Sequence, residues 1–190
     1  KTNLITIELK HIYRQSDETF IRLLNDVRDN QLDENNLAAL NSRYIPDFIP
    51  KETDYYITLT THNAKADEMN AAALAALKGK SKKFHAEVTD DFPPFLFPVD
   101  ETLELKIGAQ IMFIKNDLGQ EKRFYNGKMA IVTQLDADEI VVECVEDKKV
   151  IKLESYEWEN VKYGTDPNSG EIEEDVVGTF VHYPIKLAWA

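Results

Sequence analysis

Cysteine is nearly absent from this sequence, since Cys144 is the only one among 190 residues. A lone cysteine excludes an internal disulfide framework, and we therefore expect a reducing compartment, the cytoplasm. Its place in the apolar run IVVECVE predicts a buried strand residue. An apolar run of about 18 residues is also lacking, so we expect neither a membrane span nor a membrane partner.

Histidine is scarce too, and the four histidines lie far apart along the chain. With a single cysteine they form no ligand spacing of the zinc type, and we predict no metal site. The phosphate loop GxxxxGK[ST] and the dinucleotide motif GxGxxG are both missing from the sequence, which therefore predicts no ATP hydrolysis by this chain alone. No GxSxG nucleophile motif supports a stand-alone hydrolase.

Positive charge is in deficit, because 22 Lys and Arg face 34 Asp and Glu and leave a net charge of −12. This balance argues against broad, non-specific attraction to nucleic acid. A narrow site stays possible, since stacking, hydroxyl and amide contacts to a single strand do not depend on net charge. The same acidity supports an alternative: an acidic β-barrel that serves as a protein-interaction module and has no nucleic-acid role.

The first half of the chain has a mixed α/β pattern. Residues 4–9 read as a short strand, and helical spacing of apolar residues begins after Ser16, a candidate N-cap. A second helix covers residues 33–43. The β-branched and aromatic run 55–61 predicts a strand buried on both faces, followed directly by an Ala-rich helix with Asn63 as N-cap and Gly79 as its stop.

The second half loses the helical pattern. From Leu103 onward, short apolar runs alternate with turn signals, which predicts a small antiparallel barrel or sandwich. The main boundary falls near residue 106. The chain ends in the apolar run HYPIKLAWA, which we interpret as truncation inside an element.

Polar residues mark the junction between the predicted buried strand and the Ala-rich helix. Thr61, His62 and Asn63 stand where helix N–H groups and the helix dipole attract a phosphate. Asn70 lies two turns further on the same helix face. The alternatives are that Asn63 merely caps the helix, that His62 is solvated and that Asn70 is an exposed polar spacer.

Two further places carry candidate contacts. Arg14 lies between the first strand and helix, where a guanidinium could reach a phosphate across a domain interface, or could simply pair with Asp17 or Glu18. Lys115 and Asn116 precede a turn, and Asn126 begins an Asn-Gly pair after it. The Asn-Gly pair by itself indicates only a loop between two strands.

Taken in order, five segments resemble landmarks of superfamily-one DNA helicases of the RecD and petite-integration-frequency type: IYRQSDETFIRLLNDVR, LTTHNAKADEMN, LKIGAQIMFIKND, RFYNGKMAIV and HYPIKLAWA. The resemblance covers nearly the whole chain. It implies a RecA-like α/β second motor domain with a parallel sheet and helices (1–106), an inserted barrel similar to Src-homology-three (SH3-like) domains (107–182), and a truncated return strand of the motor domain (183–190).

The same resemblance implies a function. The chain would be a fragment of an ATP-dependent DNA helicase acting in DNA repair and recombination, in which ATP-driven closure of two motor domains advances the strand. Arg14 would approach the ATP γ-phosphate, and single-stranded DNA would be held by Thr61, His62, Asn63, Asn70, Lys115, Asn116 and Asn126. ATP, Mg²⁺ and the missing first motor domain would belong to a monomeric parent, and the fragment alone would bind no cofactor.

Overall fold

The computed structural model describes residues 5–7, 16–51, 54–137, 139–165 and 170–190. The chain forms two compact units, Lys1–Ile49 and Pro50–Ala190. The boundaries predicted near residues 106 and 182 both fall inside the second unit, and they stay predictions. Arg14, and all but residues 5–7 of the first predicted strand, lie outside the described residues; residues 5–7 have no strand structure.

The first unit contains two helices, α1 (Glu18–Arg28) and α2 (Glu34–Asn41). The predicted cap Ser16 is wrong, because Asp17 holds the N-cap position and accepts the N–H groups of Thr19 and Phe20 at 2.9 and 3.0 Å. A carboxylate at this end also complements the helix dipole. Asp26 accepts a 2.8 Å hydrogen bond from the amide of Asn36, which ties the two helices together.

In the second unit, the described residues form one α-helix and ten strands. The helix is α3 (Asn63–Ala76), and a 3₁₀ turn covers Pro94–Leu96. The strands are β1 (Lys82–His85), β2 (Glu87–Asp90), β3 (Thr102–Leu105), β4 (Gln110–Phe113), β5 (Met129–Leu135), β6 (Ile140–Cys144), β7 (Val150–Lys152), β8 (Tyr156–Thr165), β9 (Ile172–His182) and β10 (Ile185–Leu187). Among the described residues, no helix has the length and apolar character needed to cross a membrane.

The predicted buried strand at 55–61 is wrong. These residues lie in an extended segment without a strand ladder, and Leu59 is 88% exposed. Thr58 donates one backbone hydrogen bond of 2.9 Å to the carbonyl of Trp189. A strand requires a repeated ladder with a neighbour, and one such bond does not make one. High β-propensity therefore produced an extended chain here but no sheet.

The strands form three sheets, and all seven described pairings are antiparallel. The parallel sheet expected for residues 1–106 is therefore not found among the described residues. The largest sheet has the order β10-β4-β5-β6-β7, and its inner face supplies most of the hydrophobic core. Cys144 is fully buried there, as expected for a packed strand residue.

The apolar run 103–117 contributes to two strands, β3 and β4. Gly108 adopts φ +88° in the turn between them, a conformation that glycine accommodates without strain. Lys106 in this turn donates to the carbonyls of Ala75 and Leu77 at 3.2 and 2.8 Å, so it satisfies the end of α3. Gly79, the predicted helix stop, follows with φ +98°.

Strand pairing crosses both predicted boundaries. The run predicted to return to the motor domain forms β10 and pairs with β4 in the five-stranded sheet. Strand β2, which the sequence pattern did not reveal, pairs with β9 in a three-stranded sheet of order β2-β9-β8. Strands β1 and β3 form the remaining two-stranded sheet. Residues before and after 106 therefore share the three-stranded sheet.

Candidate nucleic-acid interface

The N-terminus of α3 is exposed and has no side-chain cap. His62 occupies the N-cap position with an extended backbone, and its side chain makes no capping hydrogen bond. Asn63 is the first helical residue, so the reading that Asn63 caps the helix is wrong. Thr61, His62 and Asn63 are all exposed. The first turn therefore presents backbone N–H groups and the positive end of the helix dipole to solvent.

Short side-chain contacts order the residues just before this helix. The hydroxyl of Thr60 donates to the carbonyl of His62 at 2.9 Å, and the hydroxyl of Thr61 lies 2.8 Å from Nδ1 of His62. These contacts orient the imidazole at the helix start. A hydroxyl, a ring nitrogen and the N–H groups of Asn63 and Ala64 can together donate hydrogen bonds to one phosphate of a nucleic-acid backbone.

Asn70 is buried, with 9% of its surface exposed, and does not act as an exposed spacer. Its amide oxygen accepts the N–H groups of Trp189 and Ala190, each at 2.9 Å, and its amide nitrogen donates to the carbonyl of Ala190 at 2.9 Å. The side chain thus fixes the backbone of residues 189–190 against α3. These backbone partners already use the donor and the acceptor of the Asn70 side chain. Its predicted contact with DNA stays a prediction.

Gln110, like Asn70, fixes backbone segments through its side-chain amide, a role that the sequence analysis missed. Its amide nitrogen donates to the carbonyls of Tyr56 and Ala188 at 3.1 and 2.7 Å, and it is 3% exposed. Together with the bond from Thr58 to Trp189, this holds the extended segment that leads to His62. The run GAQIMF indicates this role, because a polar side chain inside an apolar strand needs buried hydrogen-bond partners.

An open groove of about 790 Å³ runs beside α3, between the helix, β10 and the segment that follows the proline-rich turn. Its lining includes four carboxylates, those of Asp67, Asp100, Glu101 and Glu104. A hydrogen bond from Ser81 and the nearby Lys83 lower the pKa of Glu104, which keeps it charged. The lining also includes Lys186 and Asn63, so the groove reaches the start of α3, and the four carboxylates oppose a phosphate along the rest of it.

The loop between β4 and β5 brings the second group of predicted residues together. The carbonyl oxygen of the Asn116 side chain accepts the backbone N–H of Asn126 at 2.9 Å. Gly127 has φ +97°, as an Asn-Gly turn requires, and its N–H donates to the carbonyl of Phe113 at 2.8 Å. These contacts support the structural alternative for Asn116, while the Asn126 side chain remains exposed.

An ion pair closes the same loop. Asp117 accepts hydrogen bonds from the guanidinium and the backbone N–H of Arg123, both at 2.9 Å, and its side chain is 6% exposed. The hydrogen bonds from Arg123 lower the pKa of Asp117 to about 2. The carboxylate is therefore charged throughout the neutral range and holds the loop in one conformation.

Lys115 does not extend freely into solvent. Its ammonium lies 3.5 Å from the centre of the Tyr156 ring and 4.9 Å from the centre of the Trp158 ring, both on β8. Cation–π attraction holds a lysine in such a position and leaves its charge partly exposed. The structure thus places Lys115 against β8.

The described residues contain no cluster of three or more His, Cys, Asp or Glu side chains placed to hold a metal ion. The buried ammonium of Lys128 instead forms an ion pair of 2.7 Å with Asp147.

Comparison with known proteins shows that the chain is similar to segments of ATP-dependent DNA helicases. Two of the relatives are Pif1 helicases. It is 30% identical to human PIF1 over 140 residues and 30% identical to Pif1 of Bdellovibrio bacteriovorus over 146 residues. These alignments cover 70% and 72% of this chain but 21% and 31% of the relatives, so the chain spans about a fifth to a third of their length. No family model matches.

Solved structures agree with the sequence comparison. Pif1 from Bacteroides sp in complex with ADP-AlF4 matches 95% of this chain, with a TM-score of 0.83 and 32% identity. Bacteroides Pif1 bound to single-stranded DNA matches 97% of this chain, with a TM-score of 0.66. The chain covers 40% and 41% of those proteins. Because both sequence relatives are named ATP-dependent DNA helicases and both solved structures are of Pif1, a helicase fragment is favoured over an acidic interaction module without a nucleic-acid role.

Proposed function

We propose that this chain is a segment of an ATP-dependent DNA helicase of the Pif1 type and that it carries part of the single-stranded DNA track. The observation that supports this most is the match to Bacteroides Pif1 over 95% of the chain. The exposed, uncapped start of α3 gives the match a chemical basis, since the residues predicted to hold a DNA backbone lie there.

In this proposal the strand contacts the chain at one end of α3. Phosphates bind to the first-turn N–H groups, the Thr61 hydroxyl and the His62 ring. The carboxylates of the neighbouring groove repel the strand and confine it to the helix start. This local site is compatible with the net charge of −12, because it depends on oriented dipoles and hydrogen bonds.

Asn70 and Gln110 act as positioning residues for this site. Both hold the backbone of residues 188–190, and Gln110 also holds Tyr56 in the segment that leads to α3, through hydrogen bonds of 2.7–3.1 Å. A phosphate site built on N–H groups depends on backbone placement, and small displacements weaken it. Lys115, Asn116 and Asn126 are proposed as a secondary contact region on the β4–β5 loop.

The remaining parts of the proposal concern the full-length protein. A RecA-like second motor domain (1–106), an SH3-like barrel (107–182) and a return strand (183–190) are the proposed domains of this segment. ATP and Mg²⁺ are assigned to the full-length protein and its first motor domain, since the sequence has no phosphate loop and the described residues have no metal cluster. We further propose a cytoplasmic monomer that acts in DNA repair or recombination.

The DNA contact is tested by replacing His62 and Asn63 together with alanine in the full-length protein. Binding of a fluorescent oligo(dT) is measured by anisotropy at one fixed salt concentration, because such affinities depend strongly on salt. We expect affinity to fall about tenfold, as losing one or two phosphate contacts predicts. Asn35→Ala is the matched control, since Asn35 is an exposed asparagine in the first turn of α2. Equal affinity of the double variant and wild type contradicts the proposed contact.

The role of Arg14 is tested separately, by Arg14→Ala in the full-length protein. If the guanidinium completes the nucleotide site, DNA-stimulated ATPase turnover falls by about three to five orders of magnitude, while oligo(dT) affinity is kept. Arg14→Lys keeps the charge but loses the planar fork, and we expect it to restore little activity. Unchanged turnover in Arg14→Ala rejects this role.

A further inference from the structure

Strands β8 and β9 continue beyond the three-stranded sheet as a two-stranded ribbon. Strand β2 ends where Asp90 pairs with Gly178, whereas β8 and β9 remain paired from Val161–Val176 to Thr165–Ile172. We call residues 161–165 and 172–176 the β8–β9 ribbon. Beyond Gly178, each strand of the ribbon has only the other as its sheet neighbour among the described residues.

One face of the ribbon carries four large apolar side chains, with an acidic residue and a threonine among them. Residues paired across antiparallel strands share a face, so Val161, Tyr163, Ile172 and Val176 lie on the same side, together with Glu174 and Thr165. Tyr163 is 69%, Ile172 75% and Val176 51% exposed. Several large apolar side chains that share one exposed face are typical of an interaction surface, whereas single ones are common everywhere.

The ribbon and the strand leading to it are strongly acidic. The described residues 157–165 and 170–176 carry six acidic side chains and one lysine: Glu157, Glu159, Glu171, Glu173, Glu174, Asp175 and Lys162. Lys162 already pairs with Asp91 at 2.7 Å. Within the described part of the chain, no cation pairs with Glu173, Glu174 or Asp175. This negative field repels nucleic acid and attracts basic polypeptide.

The base of the ribbon is held rigidly. Asp91 donates its N–H to the carbonyl of Val177 at 2.9 Å, and its own carbonyl accepts the Asn160 amide at 2.6 Å. The Lys162–Asp91 ion pair adds a third connection at the same point. A preformed surface loses less conformational entropy when a partner binds than a mobile one does.

We infer that the β8–β9 ribbon is a docking surface for a basic segment of another protein chain, one that carries apolar side chains among its lysines or arginines. The apolar face supplies contact area, and the acidic side chains supply selectivity for the basic partner. This surface is additional to the proposed DNA track and does not rest on helicase activity.

The experiment uses the full-length protein and a fluorescent 12-residue peptide in which lysine and leucine alternate. Two ribbon variants are compared with wild type by anisotropy: Tyr163→Ser with Ile172→Ser, and Glu173→Gln with Asp175→Asn. We expect affinity to fall about tenfold in the first and about three- to tenfold in the second, with the charge effect diminishing at high salt. Glu34→Gln with Glu121→Gln removes two exposed charges elsewhere and is the matched control.

Each outcome decides the inference. Loss of binding in both ribbon variants, with the control variant and thermal unfolding unchanged, supports it. Equal binding in all variants shows that the peptide binds elsewhere on the acidic chain and overturns it. Equal binding of a peptide with glutamate in place of lysine also overturns it. If the isolated 190-residue chain binds but the full-length protein does not, the ribbon is covered by its own chain, and the inference is wrong.

Discussion

Gly178→Ala tests how tightly β9 packs against the end of β2. A Cβ added at position 178 would lie 2.5 Å from the carbonyl carbon of Asp91, 2.6 Å from its oxygen and 2.8 Å from the nitrogen of Phe92. All three are backbone atoms, so no side-chain rotation relieves the overlap. Ordinary contact begins near 3.4 Å, and the Asp91 backbone must therefore move by about 1 Å.

Displacement of the Asp91 backbone lowers the free energy of unfolding by an amount that can be estimated. Overpacking of this kind costs about 1–3 kcal/mol. A shift of Asp91 also lengthens its hydrogen bonds to Val177 and Asn160, each worth about 0.5–1.5 kcal/mol. We expect Gly178→Ala to lower the free energy of unfolding by about 2–4 kcal/mol, taking partial relaxation into account.

The measurement is urea unfolding of the 190-residue chain, followed by circular dichroism. Gly164→Ala is the matched control, because Gly164 lies in the adjoining ribbon, has no positive φ and has no atom within 4 Å of its added Cβ. It should change stability by less than about 0.5 kcal/mol. A Gly178→Ala variant as stable as this control refutes the close approach of β2 and β9.

Three further perturbations follow from buried polar groups. Burial, with a smaller effect of His85, lowers the pKa of His182 below 6.5. The neutral ring therefore makes its full contribution to the free energy of unfolding above pH 6.5, and this contribution is lost as the pH falls. His182→Leu should flatten the pH dependence of the free energy of unfolding in denaturation series from about pH 7 to about pH 5. Asp117→Asn should destabilise by about 1–3 kcal/mol at pH 7. The difference in free energy of unfolding between this variant and wild type should vanish as the pH falls from 3.8 through about 2. A difference that does not change with pH contradicts the ion pair. Gln110→Ala should cost about 1–3 kcal/mol in urea unfolding and lower oligo(dT) affinity; loss of stability alone rejects its positioning role.

The helices and the strand-rich second half were predictable from local pattern. Apolar spacing identified α1, α2 and α3, and alternation with turn signals identified most of β3 to β10. The N-caps were misplaced by one residue: Asp17 replaces Ser16, and His62 replaces Asn63. Adjacent polar residues compete for the cap position, and the chain direction at the helix start decides between them.

The sheet assignments were not predictable in the same way. The run 55–61 has strong β-propensity, yet it forms no ladder, and its backbone contact with Trp189 is a single hydrogen bond from Thr58. Conversely, β2 has four exposed residues and a weak pattern, yet it pairs fully with β9. Strand formation depends on a neighbour distant in sequence, and a local pattern carries no information about that neighbour.

For the candidate site, the sequence by itself determined which residues begin α3 and which residue types they offer to a phosphate. It also determined the acidity of the chain and the resemblance to DNA helicases, which the comparisons support. Only the tertiary structure decided that Thr61 to Asn63 are exposed and uncapped, whereas Asn70 is committed to the backbone of residues 189–190. Exposure and hydrogen-bond partners are set by contacts across more than a hundred residues of chain, and local patterns do not encode such contacts.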